Sequence, residues 1–233
     1  MIEVIPALMP LQYADLRDDL SSVRGVSRIV QLDVCDGAFV QNHTFPYHFA
    51  DKAIWQEIVA EKQGLPFWED FDFEADLMVR HPAVKAREWV SAGASRLVFH
   101  SASDTLETIS ALLKEFRGGV SVGLALPANA PESLWKPFAD SVDFFQVMGI
   151  QVIGFQGQPF TPEALETIAA IRLAAPELPI SVDGAVSLQT APQLVAAGAT
   201  RLVVGSALLN ADNPRDMIQK LRHTGESKAG APA

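Results

Sequence analysis

The chain carries one cysteine, Cys35, in 233 residues. A single thiol excludes an internal disulfide framework and any zinc site built from several cysteines. Positive charge is also scarce: 18 Lys and Arg stand against 28 Asp and Glu, a formal net charge of −10. That balance argues against a nucleic-acid partner, which calls for a basic face. An anionic small molecule stays open, because backbone amides can hold one without net positive charge. No apolar run approaches the length of a membrane span. The first residues hold Glu3 early and show no basic stretch or cleavage pattern, so no secretory signal is expected. A cytoplasmic enzyme, partnered by neither membrane nor nucleic acid, is the expectation. Lysines stand at 52, 62, 85, 114, 136, 220 and 228, none at the carboxyl end of a strand-like run. This argues against a Schiff-base aldolase. A serine nucleophile elbow, a phosphate-binding P-loop and a dinucleotide fingerprint are absent.

What is present is ample apolar material, 48% of residues against 20% charged, enough for a full core. Short apolar runs alternate with amphipathic stretches throughout. The runs are Val4–Leu8, Arg28–Val34, Phe71–Val79, Arg96–His100, Val120–Leu126, Val142–Met148, Ile180–Asp183 and Arg201–Gly205. Ser91-Ala-Gly-Ala-Ser-Arg-Leu-Val98 and Ala196-Ala-Gly-Ala-Thr-Arg-Leu-Val203 echo one another, each a helix end stopped by Gly before a new strand. The alternation predicts a single α/β domain, a closed (β/α)8 TIM barrel over residues 1–223, with a doubly wound open sheet as runner-up. Residues 224–233 read as a disordered tail. Thr161-Pro-Glu163 reads as a helix start with Thr as N-cap. Trp55, Trp68, Trp89 and Trp135 read as core or subunit-contact residues. Gly64-Leu-Pro-Phe-Trp-Glu-Asp-Phe71 reads as a lid or a subunit contact.

Polar residues at the carboxyl ends of barrel strands are candidates for chemistry. They are Gln31 and Asp33 on the second run, Asp76 on the third, His100 on the fourth and Asp183 on the seventh. Runs two and seven lie nearly opposite each other across a barrel mouth. Carboxylates so placed could remove a proton from one face of a carbon and deliver one to the other. The competing reading makes Asp183 a turn residue of Asp-Gly, and leaves Asp36 either a site residue or a loop-amide acceptor. Gly154-Phe-Gln-Gly157-Gln158 after run six, Gly184 after run seven and Gly205-Ser206 after run eight read as a phosphate monoester site. Cys35, flanked by acids, reads as a packing residue near the site and not as a nucleophile.

The pieces Leu32-Asp-Val-Cys-Asp-Gly-Ala-Phe-Val40 with Asn42, Asp76-Leu-Met-Val79, Gly154-Phe-Gln-Gly-Gln158 with Phe160, Val182-Asp-Gly184 and Gly205-Ser-Ala207 occur in this order. In them the chain resembles the ribulose-phosphate 3-epimerase family, single-domain barrels of the ribulose-phosphate-binding superfamily. The resemblance runs from about Pro6 to Asn210. It implies inversion at C3 of a phosphorylated ketose such as D-ribulose 5-phosphate, through an enediolate, with Asp33 and Asp183 as the acid/base pair. It also implies a divalent metal held by those aspartates and two histidines, but the histidine positions fall on Gln31 and Asp76. The family's early serine falls on Ala7. Its three cavity-lining methionines fall on Cys35, Met78 and Met148, while His100 matches a histidine near the site. In the phosphate region the loop after run six is one residue longer. A glycine pair has become Gln156-Gly157, and the second glycine after Asp183 has become Ala185.

A metal set of Gln31, Asp33, Asp76 and Asp183 would offer only oxygens if the amide oxygen faces inward, favouring magnesium, manganese or another oxygen-preferring cation over zinc. The alternative is no metal, with at least one of the close carboxyls protonated near neutrality. Two functional expectations follow from the resemblance and its departures. One is a phosphoketose epimerase, the other a non-catalytic or regulatory sugar-phosphate-binding relative without the metal. Decarboxylase or aldol chemistry on the same barrel is disfavoured, since Glu74-Ala-Asp-Leu-Met-Val79 has no lysine. A homo-oligomer is expected.

Overall fold

A computed structural model describes residues 2–224. The tail expected over 224–233 therefore falls, beyond Thr224, outside the described residues. Eight parallel strands close in chain order: β1 (Glu3–Leu8), β2 (Ile29–Cys35), β3 (Asp72–Met78), β4 (Ala94–His100), β5 (Ser121–Leu126), β6 (Phe144–Met148), β7 (Ile180–Asp183) and β8 (Arg201–Val204). Closure is made by β8 on β1, with Glu3 opposite Arg201, so the open sheet is excluded. Strand limits fall within two residues of the apolar runs. Helices α1 (Tyr13–Val23), α2 (Lys52–Val59), α3 (Ala83–Ser91), α4 (Leu106–Phe116), α5 (Glu132–Trp135), α6 (Glu163–Ala174), α7 (Ala191–Ala197), α8 (Ser206–Leu209) and α9 (Pro214–Arg222) complete the fold. It is a (β/α)8 barrel. No helix among the described residues is long and apolar enough to cross a membrane.

Alternation along each strand sorts the two faces. On β2, Val30, Leu32 and Val34 belong to the main core between strands and helices, while Gln31 and Asp33 point into the barrel. On β3, Phe73, Ala75 and Leu77 do the same, leaving Glu74 and Asp76 inside. Trp55 and Trp89 pack around Phe45, and Trp135 edges onto Phe145. Those three indoles are buried, but Trp68 is 61% exposed.

Two expectations need correcting. The helix after β6 starts at Glu163 with Pro162 as its N-cap, and Thr161 supplies no side-chain cap. Its backbone is engaged instead, since its N–H donates to Gly149 O at 2.8 Å. The aromatic segment 64–71 is no lid. It leads into the amino end of β3, so it lies on the face away from the strands' carboxyl ends.

The amino end of the barrel is filled by charge. Glu3, Glu74, Arg96 and Arg201 meet there, with Arg201 Nε 2.9 Å from Glu3 Oε2 and its Nη2 on Glu74 Oε2. Arg96 Nη1 lies 3.1 Å from Glu3 Oε2 and 3.7 Å from Glu74 Oε2. The Arg201 guanidinium also stacks 4.0 Å above the Phe144 ring. That ring fits because position 123 is glycine: a Cβ there would lie 2.3 Å from it. Two acids and two bases cancel, which is what makes the burial of Glu74 tolerable. Arg201→Met should leave Glu74 buried beside a poorer partner and cost about 3–5 kcal/mol. Adding Glu74→Met should recover much of that loss, and urea unfolding of both variants measures the difference.

Candidate active site

The carboxyl ends of the strands frame a cleft, and β2 brings two polar side chains to it. Its exit is fixed by Thr44, whose hydroxyl donates to Asp33 O at 2.7 Å and accepts from Cys35 N at 2.8 Å. That holds Asp33 at the cleft and Gln31 one layer deeper. The exits of β6 and β7 are fixed by close backbone approach. Gly149 N donates to Asp183 O at 2.6 Å, and a Cβ on Gly149 would lie 2.2 Å from Gly184 O. Only glycine fits there.

The structure brings Asp33, Asp76 and Asp183 together. Each offers a carboxylate oxygen, and these atoms lie within 4.8 Å of one another. Gln31 Nε2 donates to Asp33 Oδ1 at 2.9 Å and to Asp183 Oδ2 at 3.0 Å. His100 Nε2 lies 2.8 Å from Asp76 Oδ1, its ring tilted against Phe39. Burial is the main force holding the Asp33 carboxyl well above its ordinary range, with the Asp183 and Asp76 charges adding to it and the Gln31 bond opposing. For Asp183 the order is burial, then Asp76, against Gln31, and its pKa rises to about 7.

One member of the cluster escaped the sequence reading. Gln146 on β6 donates from Nε2 to Asp76 Oδ2 at 3.2 Å and to Asp183 Oδ2 at 3.5 Å. Its signal was a polar residue inside the apolar run Val142–Met148, on the same side of the strand as the cleft residue Met148.

The three aspartates could hold a metal ion: they are oxygen donors, mutually close and poor in cationic neighbours, a set that suits a hard cation. Gln31 does not join that donor set, which corrects its expected ligand role. Its N–H group faces the carboxylates, while its Oε1, like that of Gln146, is buried without a partner among the described residues. An unsatisfied buried acceptor costs about 1–3 kcal/mol. An amide oxygen turned toward two carboxylates would lose both bonds and add repulsion, so the donor-inward arrangement wins.

The glycine-rich segments converge on the same cleft. Gly154, Gln156 and Gly157 border it from the loop after β6, Gly184 and Ala185 from that after β7, and Gly205 and Ser206 from that after β8. Ala7, Met78 and Met148 also border it, with Asp33 and Asp183. Asn42 Nδ2 donates to Gly154 O at 3.2 Å, tying the loop after β2 to that after β6. His100 lies on a neighbouring cavity of about 420 Å³, which shares Met148 and Ile150 with the cleft.

One expectation changes, the place of Cys35 on the cavity wall, and the alternatives for Asp36 resolve to the loop-amide acceptor. Cys35 does not border the cleft; it is fully buried in a small cluster with Val40 and Met78. Burial and the Asp33 charge drive its thiol pKa strongly upward, so it stays a neutral packing group. Asp36 serves the loops: Oδ1 accepts from Ala38 N and Phe39 N, and Oδ2 from Arg80 N and Lys85 Nζ.

A family model described as the ribulose-phosphate 3 epimerase family matches residues 3–209. The chain belongs to that family. It is 30% identical over 224 residues to the ribulose-phosphate 3-epimerase of Schizosaccharomyces pombe, covering 95% of this chain and 93% of that protein. To the Bacillus subtilis protein of the same name it is 30% identical over 229 residues, covering 95% and 99%. Family and relatives mark it as a carbohydrate epimerase. Among solved structures, 3-hexulose-6-phosphate synthase from Salmonella typhimurium superposes with a TM-score of 0.67 at 16% identity, covering 97% of this chain and 99% of that one. The 3-keto-L-gulonate-6-phosphate decarboxylase from Vibrio cholerae gives 0.69 at 13%, covering 97% and 99%. Those two likenesses are of fold alone.

Ala185 adopts φ +54°, a left-handed conformation that strains a residue with a Cβ. Ala185→Gly should stabilise the fold by about 1 kcal/mol, read as a raised urea midpoint. The raised carboxyls set a pH dependence. For Asp183, between the ordinary aspartate value of 3.8 and about 7, the folded chain binds more protons than the unfolded one, so the contribution of this group to stability falls as pH rises through that window. Asp183→Asn should flatten that slope by up to about 1.4 kcal/mol per pH unit, measured by urea unfolding in chelator from about pH 5 to 8.

Proposed function

We propose that the protein inverts C3 of a phosphorylated pentulose, D-ribulose 5-phosphate, through an enediolate, with Asp33 and Asp183 exchanging the roles of acid and base. The observation that carries the reading is two aspartates with raised pKa, from strands three apart around the barrel, bordering one cleft. Inversion needs a base on one face of the carbon and an acid on the other. Two interacting carboxyls whose proton affinities are both raised by burial and by each other's charge can supply one ionised and one protonated member together. Gln31, bonded to both, sets their spacing and orients their oxygens toward the cleft. Asp76, anchored by His100 and Gln146, is the third charge that keeps the pair's proton affinity high.

The phosphate would sit against the loops after β6, β7 and β8, where Gly154, Gln156, Gly157, Gly184, Ala185, Gly205 and Ser206 border the cleft. In a barrel those loops commonly present backbone amides to such a group. Ala7, Met78 and Met148 would line the carbon chain, apolar surfaces that exclude water from a reactive enediolate. Asp33, Asp76 and Asp183 are the oxygens that would hold a divalent cation, magnesium or manganese suiting them better than zinc, but the reading does not require one, since N–H groups of Gln31 and Gln146 already face these carboxylates. A cytoplasmic homo-oligomer, one barrel domain per chain, completes the reading.

The test is deuterium incorporation at C3 of D-ribulose 5-phosphate in deuterated water, followed by NMR. Incorporation should occur with the native chain and fall about 10²–10⁴-fold in Asp33→Asn and in Asp183→Asn. No incorporation by a folded chain, with chelator or with added Mg²⁺ or Mn²⁺, would overturn the proposal.

A further inference from the structure

Two amides lie among the three carboxylates, and both present their N–H groups. Gln31 Nε2 reaches Asp33 Oδ1 and Asp183 Oδ2 at 2.9 and 3.0 Å. Gln146 Nε2 reaches Asp76 Oδ2 and Asp183 Oδ2 at 3.2 and 3.5 Å. Asp183 Oδ2 is shared, so the two side chains link all three acids into one unit. An N–H hydrogen carries partial positive charge, and here four such contacts fall on oxygens of the acids that a cation would use. The chain accepts a penalty for this, since Gln31 Oε1 and Gln146 Oε1 are left buried without a partner among the described residues. The carboxylates, not the amide oxygens, dictate how both side chains are turned.

We propose that Gln31 and Gln146 act together in place of a divalent cation. Their amides hold Asp33, Asp76 and Asp183 close to one another, so the native chain needs no metal to keep this cluster and resists taking one. The inference concerns the cluster alone and is independent of which sugar phosphate enters the cleft. Removing an amide exposes the acids to one another, and a cation then becomes the remaining way to hold them.

The experiment compares the full-length chain with Gln31→Met and Gln146→Met, which keep volume and remove the amide. All are stripped with chelator. Thermal unfolding and the electron paramagnetic resonance signal of free Mn²⁺ are then read across a Mn²⁺ titration. The native chain should melt at the same temperature in chelator and in Mn²⁺ and leave the free-ion signal undiminished. The variants should melt lower in chelator, regain most of the loss with Mn²⁺, and bind the ion at least about tenfold more tightly than the native chain. A variant that folds only when Mn²⁺ is present supports the proposal equally. Stoichiometric uptake by the native chain with a rise in melting temperature overturns it. So do variants that Mn²⁺ neither stabilises nor helps to fold, which would make the amides packing groups. None of these readouts requires turnover, so they stand or fall apart from the exchange at C3.

Discussion

Everything at the barrel mouth depends on keeping three like charges close in a place with little water. Two unit charges about 4 Å apart repel by about 4 kcal/mol at the effective dielectric near a protein surface. Three ionised aspartates would therefore push the ends of β2, β3 and β7 apart. The chain answers with amide donors, a histidine and retained protons rather than with arginine or lysine. The response is partial by the nature of its parts: an amide dipole steadies a carboxylate without fixing its charge. That leaves the acids able to gain and lose a proton, which a firm ion pair would prevent.

The opposite end of the barrel shows the contrast. Glu3 and Glu74 are met by Arg96 and Arg201, charge for charge, and Arg201 is further pinned on Phe144. Between the two charged layers stand Ile5, Val98 and Val203, fully buried aliphatic side chains. The same strands thus carry a neutralised layer at one end and an under-neutralised layer at the cleft. Parity makes this possible, because positions two apart share a face: Glu74 and Asp76 are neighbours on β3, as Gln31 and Asp33 are on β2.

The architecture was legible because each strand is an apolar run bounded by turn residues, and eight such runs separated by helical stretches admit few closures. Asp33 and Asp183 were legible as acids at the ends of such runs. Gln146 was not, because the surrounding phenylalanines, valine and methionine hid a polar residue whose strand parity alone gave it away. Gln31 was seen, but its orientation was beyond the sequence: amide oxygen and nitrogen differ only in which neighbours they meet, and those neighbours come from β2 and β7. Cys35 shows the same limit from the other side. It shares Asp33's parity, yet Val40 and Met78 close over it. Thr161 failed as a cap because its backbone is drawn to Gly149, a contact 12 positions away that local pattern cannot reveal.

The charged plug at the amino end has a further meaning for traffic. With Glu3, Glu74, Arg96 and Arg201 filling the floor, the barrel is a cup with one opening. In the proposed reaction, solvent protons that replenish Asp33 and Asp183 would arrive by the same mouth that admits the ligand. A ligand seated in the cleft would stopper that route, and a proton lifted from its carbon would stay within the cup until the stopper leaves.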